Sequence, residues 1–297
     1  MYYLSEINNE THHRNKMRTK VYTLLMLLSI TSLLCSCSKT GKSKANDGKP
    51  AVTVQNQQLS DNSGFTMTGG TRCTIVADAS IDYPVADDEG MAVDSLQRLF
   101  AAYVLESGDS LSLQEAMRQV VANSMHQYDF MQEPVGGDEV DERDDEATLK
   151  YATSTRITPV YNTNGIVTFE RVDVVKKNDK VTSVTHRYYS FDVKTQTLID
   201  LSSLFRDDAV ADVCQLLKQQ LLTQNNATGN EQLNDLGYYN VENITVTRNF
   251  FFDDKGMTWS FLPNELAVEA VGEPRITIPY SELSDSKCDD SILDRLH

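Results

Sequence analysis

The strongest constraint on the fold is a change in hydrophobic period that begins near Thr148. From there to Val193, apolar and polar residues alternate in several runs, which is the two-residue period of strands that bury one face. Two polar tetrapeptides, residues 162–165 and 177–180, separate these runs and have the Asn, Asp, Gly and Lys content of hairpin turns. The pattern predicts an antiparallel meander.

The segment before the meander predicts one strand and two helices. The strand begins at residue 72 and ends at Pro84, since proline usually terminates a strand. Apolar residues then recur at three- and four-residue steps between Leu96 and Val104, as in a helix that buries one face. A second helix is predicted to start at Ser112, where Glu115 completes a capping box.

The segment after the meander predicts one helix and two strands. Asp207 is predicted to cap a helix whose apolar residues, from Val210 to Leu221, share one face. Strands are predicted over residues 244–252 and 257–262, around a polar turn. Strands and helices do not strictly alternate, so the predicted fold class is α+β, with antiparallel sheets and packed helices.

The first 36 residues predict an upstream extension followed by a signal peptide. Arg18 and Lys20 precede an apolar run from Val21 to Leu34, which is the layout of a secretory signal. The run is shorter than the roughly 20 apolar residues of a spanning helix. The preceding residues 1–16 are polar, so Met17 is the expected start of translation.

The end of this signal resembles a bacterial lipobox. In Leu34-Cys35-Ser36-Cys37, Cys37 is the predicted lipid-attachment residue, because choosing Cys35 would place Leu34 where a small residue is expected. Multiple acyl chains on one cysteine give stable membrane anchoring. The alternative is an ordinary cleaved signal beside an incidental pair of cysteines. Residues 37–70, rich in Lys, Gln, Asn and Ser, are predicted to be a flexible tether.

The charge balance limits the classes of partner. Asp and Glu number 43 against 27 Lys and Arg, for a formal net charge of -16. Nucleic acid is excluded, because its recognition requires a basic footprint that neutralises phosphates. A cationic partner is compatible, since an acidic surface attracts it electrostatically.

The cysteines and histidines support neither a redox site nor a metal site. Cys73 and Cys288 are the one pair considered for a disulfide, and Cys214 is predicted to be a buried apolar residue on its helix. There is no Cys-x-x-Cys and no zinc-ligand spacing. No cofactor or metal is predicted.

Several short motifs together resemble the RsiV-like C-terminal domain family, DUF3298. They are Phe191-Asp192-Val193-Lys194-Thr195, Leu201-Ser202-Ser203-Leu204-Phe205, Gly256, Phe261-Leu262-Pro263-Asn264-Glu265-Leu266-Ala267, Gly272 and Ile278-Pro279-Tyr280-Ser281-Glu282-Leu283. The resemblance implies an RsiV-like α+β fold, with a DUF4163-like region over residues 71–147 and a DUF3298-like, β-rich domain with a helix over residues 148–297. Two departures are Asn264, where the family commonly has Tyr, and Ser183-Val184-Thr185-His186, where it often has Gly-Gly-Ala-His.

Relatives suggest two different functions. One binds lysozyme as an envelope sensor, and another is a zinc-dependent peptidoglycan deacetylase. This chain lacks the deacetylase histidine pair, because the histidines after Cys37 are His126, His186 and His297. The predicted function is a non-catalytic, lipid-anchored envelope lipoprotein on the outer membrane, periplasmic or surface face, which binds a cationic, lysozyme-like protein or cell-wall glycan. The alternative is an envelope hydrolase acting on peptidoglycan or polysaccharide.

Three sets of residues are candidates for a catalytic role. His186 is the one internal histidine in a strand pattern, and a hydrogen-bonding role is favoured over that of a catalytic base. Glu265, Glu269 and Glu273 recur every four residues, which favours a solvated helix face over a glycosidase-type acid pair. Trp259 is predicted to lie in the core. No catalytic residue is assigned.

Overall fold

The computed structural model describes residues 49–67, 71–108, 111–129, 148–283 and 290–296. The strands are β1 Val52–Thr66, β2 Arg72–Asp87, β3 Thr148–Thr163, β4 Ile166–Lys177, β5 Lys180–Asp192, β6 Thr197–Ile199, β7 Phe250–Phe252, β8 Gly256–Ser260 and β9 Arg275–Pro279. The helices are α1 Asp94–Leu99, which continues as a π-helical turn over Phe100–Val104, then α2 Leu113–His126, α3 Leu201–Leu204, α4 Val210–Gln224, α5 Asn230–Asp235 and α6 Asp290–Leu293. No helix in these ranges is long and apolar enough to span a membrane.

The strands form two sheets. The larger has the order β1-β2-β3-β4-β5-β6, and the smaller has the order β7-β8-β9. All neighbouring strands are antiparallel except β2 and β3, which are parallel. The predicted α+β fold class, with antiparallel sheets and packed helices, is confirmed, and α1 and α2 form the crossover that the parallel pair β2–β3 requires.

Two cores lie on opposite faces of the larger sheet. The strand alternation places Ile157, Phe169 and Phe191 on one face, where they pack with Phe100 of the π-helical turn and Met117 of α2. The other core joins Ile166 and Ile199, at the β4–β6 end of the sheet, to the smaller sheet and α4. The rest of that second face, along β1 to β3, is largely polar and lines an open hollow of about 580 Å³.

The predicted tether over residues 37–70 is wrong for residues 52–66. These form β1, which pairs along its whole length with β2 and covers that strand's outer edge. Its polar composition suits this position, because an edge strand with a largely solvated face buries few side chains. Residues 37–48, including Cys37, lie outside the described residues, as does the predicted signal.

Three local predictions are corrected. β2 does not end at Pro84 but continues to Asp87, and a register shift near Pro84 accommodates the proline in the β1–β2 pair. Asp207 does not cap α4, which begins after Ala209 with no side-chain cap. Of the strand predicted over residues 244–252, only Phe250–Phe252 forms a strand, β7, and the backbone before it is irregular.

Other local predictions are confirmed. Ser112 and Glu115 form the capping box of α2, Asn164 and Gly165 have the positive φ angles of a hairpin turn, and Trp259 is fully buried. The prediction that Cys214 is buried is wrong, because this residue is only partly buried, whereas Cys73 is buried and Cys288 lies outside the described residues. The boundary proposed at residue 148 falls between β2 and β3, which are neighbours in one sheet.

Candidate functional site

The candidate site lies where the smaller sheet meets β4 and β5. The antiparallel register places Glu170 opposite Tyr188 and Val172 opposite His186. Directly opposed residues share one face of a sheet. Glu170, His186 and Tyr188 therefore form a polar cluster on the face that the smaller sheet partly covers.

Glu170 is the centre of this cluster, which we call the Glu170 cluster (Glu170, His186, Tyr188 and Arg275). Its Oε1 accepts a hydrogen bond from the Tyr188 hydroxyl at 2.7 Å and lies 2.9 Å from His186 Nδ1. One guanidinium nitrogen of Arg275 lies 4.0 Å from the same oxygen. An ionised carboxylate can only accept, so His186 donates this hydrogen bond from Nδ1.

The cluster holds Glu170 in its ionised form. Burial raises the pKa of Glu170, but hydrogen bonds from Tyr188 and His186, with the charges of His186 and Arg275, outweigh that effect and lower the pKa below its usual value. The pKa of Tyr188 is raised by burial and by its hydrogen bond to Glu170. Both groups keep their ordinary charge state near neutral pH, so Glu170 is a poor general acid.

The smaller sheet is joined to β5 through side chains. Asn249 accepts from the Tyr188 backbone N–H at 2.8 Å and donates to the carbonyl oxygens of His186 and Ser260, each at 3.0 Å. Glu273 Oε1 accepts from the His186 backbone N–H at 2.9 Å. These bonds join β5 to the segments that immediately precede β7 and β9.

Aromatic contacts hold Arg275 in place. Its guanidinium lies over the rings of Tyr188 and Phe251, at 5.6 Å and 5.9 Å from their centroids. The two rings pack against each other with centroids 4.5 Å apart. The cation therefore spans both sheets, since Tyr188 is in β5 and Phe251 is in β7.

Beside the cluster lies an open groove of about 480 Å³, which we call the β5 groove. One wall is the first half of β5, from Val181 to His186, and the other includes Glu269, Glu273 and Arg275. Val181 and Val184 are exposed in the groove, at 56% and 38% of their surface. The groove thus combines a strand wall that exposes two valines with an opposite wall that carries two carboxylates and Arg275.

The fold brings only some of the candidate residues from the sequence together. His186, Glu269 and Glu273 line the β5 groove, whereas the Glu265 carboxylate accepts from the Leu262 backbone N–H. The three glutamates do not share a helix face, because only Glu269–Val271 forms a short 3₁₀ turn. His126 contacts Asp129 on the surface, and His297 lies outside the described residues.

His186 contacts two carboxylates and one amide. Between described residues, the polar contacts of the His186 ring and backbone are with Glu170, Glu273 and Asn249, and none is with a serine, threonine or cysteine. No group of three or more metal-ligating side chains occurs in the part of the chain that the structure describes. The sequence pattern does not indicate four residues of the site, because their roles depend on strand register and on the packing of two sheets: Glu170, Tyr188, Asn249 and Arg275.

Comparison with known proteins supports the fold but gives no activity, substrate or ligand. Residues 202–281 match the family model "Protein of unknown function (DUF3298)". This segment is similar to a DUF3298 domain. It includes β7, β8 and β9 and therefore supplies Asn249, Glu273 and Arg275 to the site.

Two solved structures are similar in fold. A DUF3298 family member from Bacteroides fragilis aligns with a TM-score of 0.61 at 16% identity, over 84% of this chain and 99% of its own. A DUF3298 family protein from Pseudomonas aeruginosa aligns with a TM-score of 0.50 at 11% identity, over 80% of this chain and 96% of its own. No curated protein matches the chain.

Proposed function

We propose that this chain is a non-catalytic binding module of the bacterial cell envelope, anchored to a membrane by lipid on Cys37. Its ligand is a cationic protein, such as a lysozyme-like hydrolase, or a cell-wall glycan. The lipobox supports the location, and the net charge of -16 supports a cationic ligand over an anionic one.

The observation that carries this proposal is the composition of the β5 groove. The titratable groups beside the groove already bond to one another, since Glu170 forms hydrogen bonds with His186 and Tyr188. The groove's other lining residues include the exposed valines Val181 and Val184 and the carboxylates Glu269 and Glu273. A concave surface with apolar contacts and a few fixed charges suits recognition.

The test is calorimetry on the full chain carrying Cys37→Ser, with a cationic lysozyme and with soluble peptidoglycan fragments as separate ligands. We expect salt-sensitive binding of at least one. Replacing Glu269 and Glu273 together by Gln should weaken binding of the cationic protein about fivefold, as two partly exposed charges contribute roughly 1 kcal/mol. Glu231→Gln, an exposed site on α5, is the matched control. No binding of either ligand would refute the proposal.

A hydrolase acting on peptidoglycan or polysaccharide is the second candidate, because His186 meets two glutamates at one groove. Released reducing sugar or amine from purified wall material would be measured for the wild type and for His186→Ala. Turnover that this variant abolishes would support the hydrolase, and no turnover by the wild type would remove it.

A further inference from the structure

Part of the larger sheet ends in a strand edge that no strand among the described residues covers. β4 occupies one side of β5, but on the other side β6 pairs only with Ser190–Asp192. The smaller sheet contacts that side of β5 through Asn249 and Glu273, at His186 and Tyr188. The first residues of β5 therefore form one wall of the groove with an open edge.

The direction of the free backbone groups follows from the bonds nearby. The N–H groups of His186 and Tyr188 and the carbonyl of His186 bond toward the smaller sheet. Alternate residues of a strand direct these groups to the same side, so Val184 directs its N–H and C=O into the groove. No hydrogen bond to another described residue uses Val184 on that side.

We infer that Val181–Thr185 pair, edge to edge, with an extended basic segment of a partner protein, which thereby adds a strand to the larger sheet. This inference rests on the proposed function and specifies its ligand. Backbone pairing supplies affinity in this mode of recognition, and flanking side-chain contacts supply selectivity. Five residues of strand span about 16 Å at roughly 3.3 Å per residue.

The charges around the edge favour a basic segment. Glu269 and Glu273 face the groove, whereas Arg275, a cation on the same wall, is stacked on two rings and lies 4.0 Å from Glu170. Lysine or arginine side chains of the partner would meet these two carboxylates. Two copies of this chain pairing at the same edge would instead bring their acidic walls together, which is unfavourable.

The exposed valines also argue for a partner. Proteins commonly protect open strand edges with charges, proline or short strands, since a bare apolar edge invites pairing. Lys180 stands at the start of this edge, yet Val181 and Val184 remain exposed. An incoming strand would cover both valines and satisfy the outward backbone groups of Val184.

The experiment uses a fluorescent, capped heptapeptide of alternating lysine and valine, and the detergent-solubilised full chain, with binding followed by anisotropy. A second peptide, N-methylated at its three central amides, can pair through neither edge. We expect at least tenfold weaker binding of the methylated peptide, and of a peptide with glutamate in place of lysine. Hydrogen exchange over Val181–Thr185 should slow when the first peptide binds.

Two variants test the edge within the protein. Val184→Pro removes the outward N–H and should weaken peptide binding at least tenfold, while Val184→Thr keeps that N–H and should change it less than threefold. Trp259 fluorescence checks that both variants fold. Equal binding of the methylated peptide, unchanged binding by Val184→Pro, or occupation of the edge by a second copy in a dimer would each overturn the inference.

The two proposals can fail separately. If the full chain binds a cationic lysozyme or glycan and Val184→Pro leaves that affinity unchanged, the edge inference is refuted while the proposed function stands. If neither ligand binds and the first peptide does not bind, both are refuted.

Discussion

Gly256, in the smaller sheet, gives the sharpest test of the packing. A Cβ at this position would lie 2.1 Å from the Ile278 carbonyl oxygen and 2.9 Å from Pro279 Cα, both backbone atoms of β9. Carbon–oxygen contacts of about 3.3 Å are the ordinary limit, so β9 would have to move by roughly 1 Å. That movement would disturb the Gly256–Pro279 pair and the bond from the Tyr280 hydroxyl to the Asp253 carbonyl.

We therefore expect Gly256→Ala to lower the free energy of unfolding by about 3 kcal/mol or more, the upper end for overpacked sites. For a body of this size, such a change lowers Tm by about 6 to 12 °C. The assay is thermal and urea unfolding followed by fluorescence of Trp259, which is the sole tryptophan and is buried in β8.

The matched control for this prediction is Gly64→Ala in β1. There the new Cβ would have its nearest contact at 3.7 Å, from the Cys73 carbonyl oxygen. We expect a change within about 1 kcal/mol, toward higher stability, since alanine has less backbone entropy to lose. A Tm for Gly256→Ala within 2 °C of the wild type would refute the packing argument.

Three further predictions concern ionised groups and the lipid. Glu170→Gln should lower the free energy of unfolding by about 1 to 3 kcal/mol at neutral pH. Because the pKa of Glu170 is lowered in the folded state, the wild type has this extra stability above the ordinary pKa of 4.5 and loses it as pH falls through the folded pKa. Urea titrations at several pH values would show this. Asp192→Asn should speed hydrogen exchange over residues 290–296, since its carboxylate bonds to Arg295 at 2.6 Å; an unchanged rate would contradict this. Cys37→Ser should abolish metabolic labelling with a palmitate analogue, whereas Cys35→Ser should retain it; the reverse pattern would move the attachment site.

The features that could be predicted from the sequence are the local ones. The hairpin turns, the capping box of α2 and the buried Trp259 each depend on a few neighbouring residues. β1 was missed because its Gln, Asn and Ser residues have low strand propensity. Pairing with β2 stabilises it instead, and no pattern within residues 52–66 indicates that partner.

The candidate site depends on a single extra residue in β5. Counting outward from the Lys177–Lys180 turn would place Arg187, not Tyr188, opposite Glu170. A register shift between Val175 and Lys176 places one more residue on β5, which restores the observed Glu170–Tyr188 pair. Since a shift of one residue exchanges the two faces of a strand, regular pairing would direct Glu170 and His186 to opposite faces. The shift is therefore what brings the histidine and the carboxylate together, and hairpin composition alone does not indicate it.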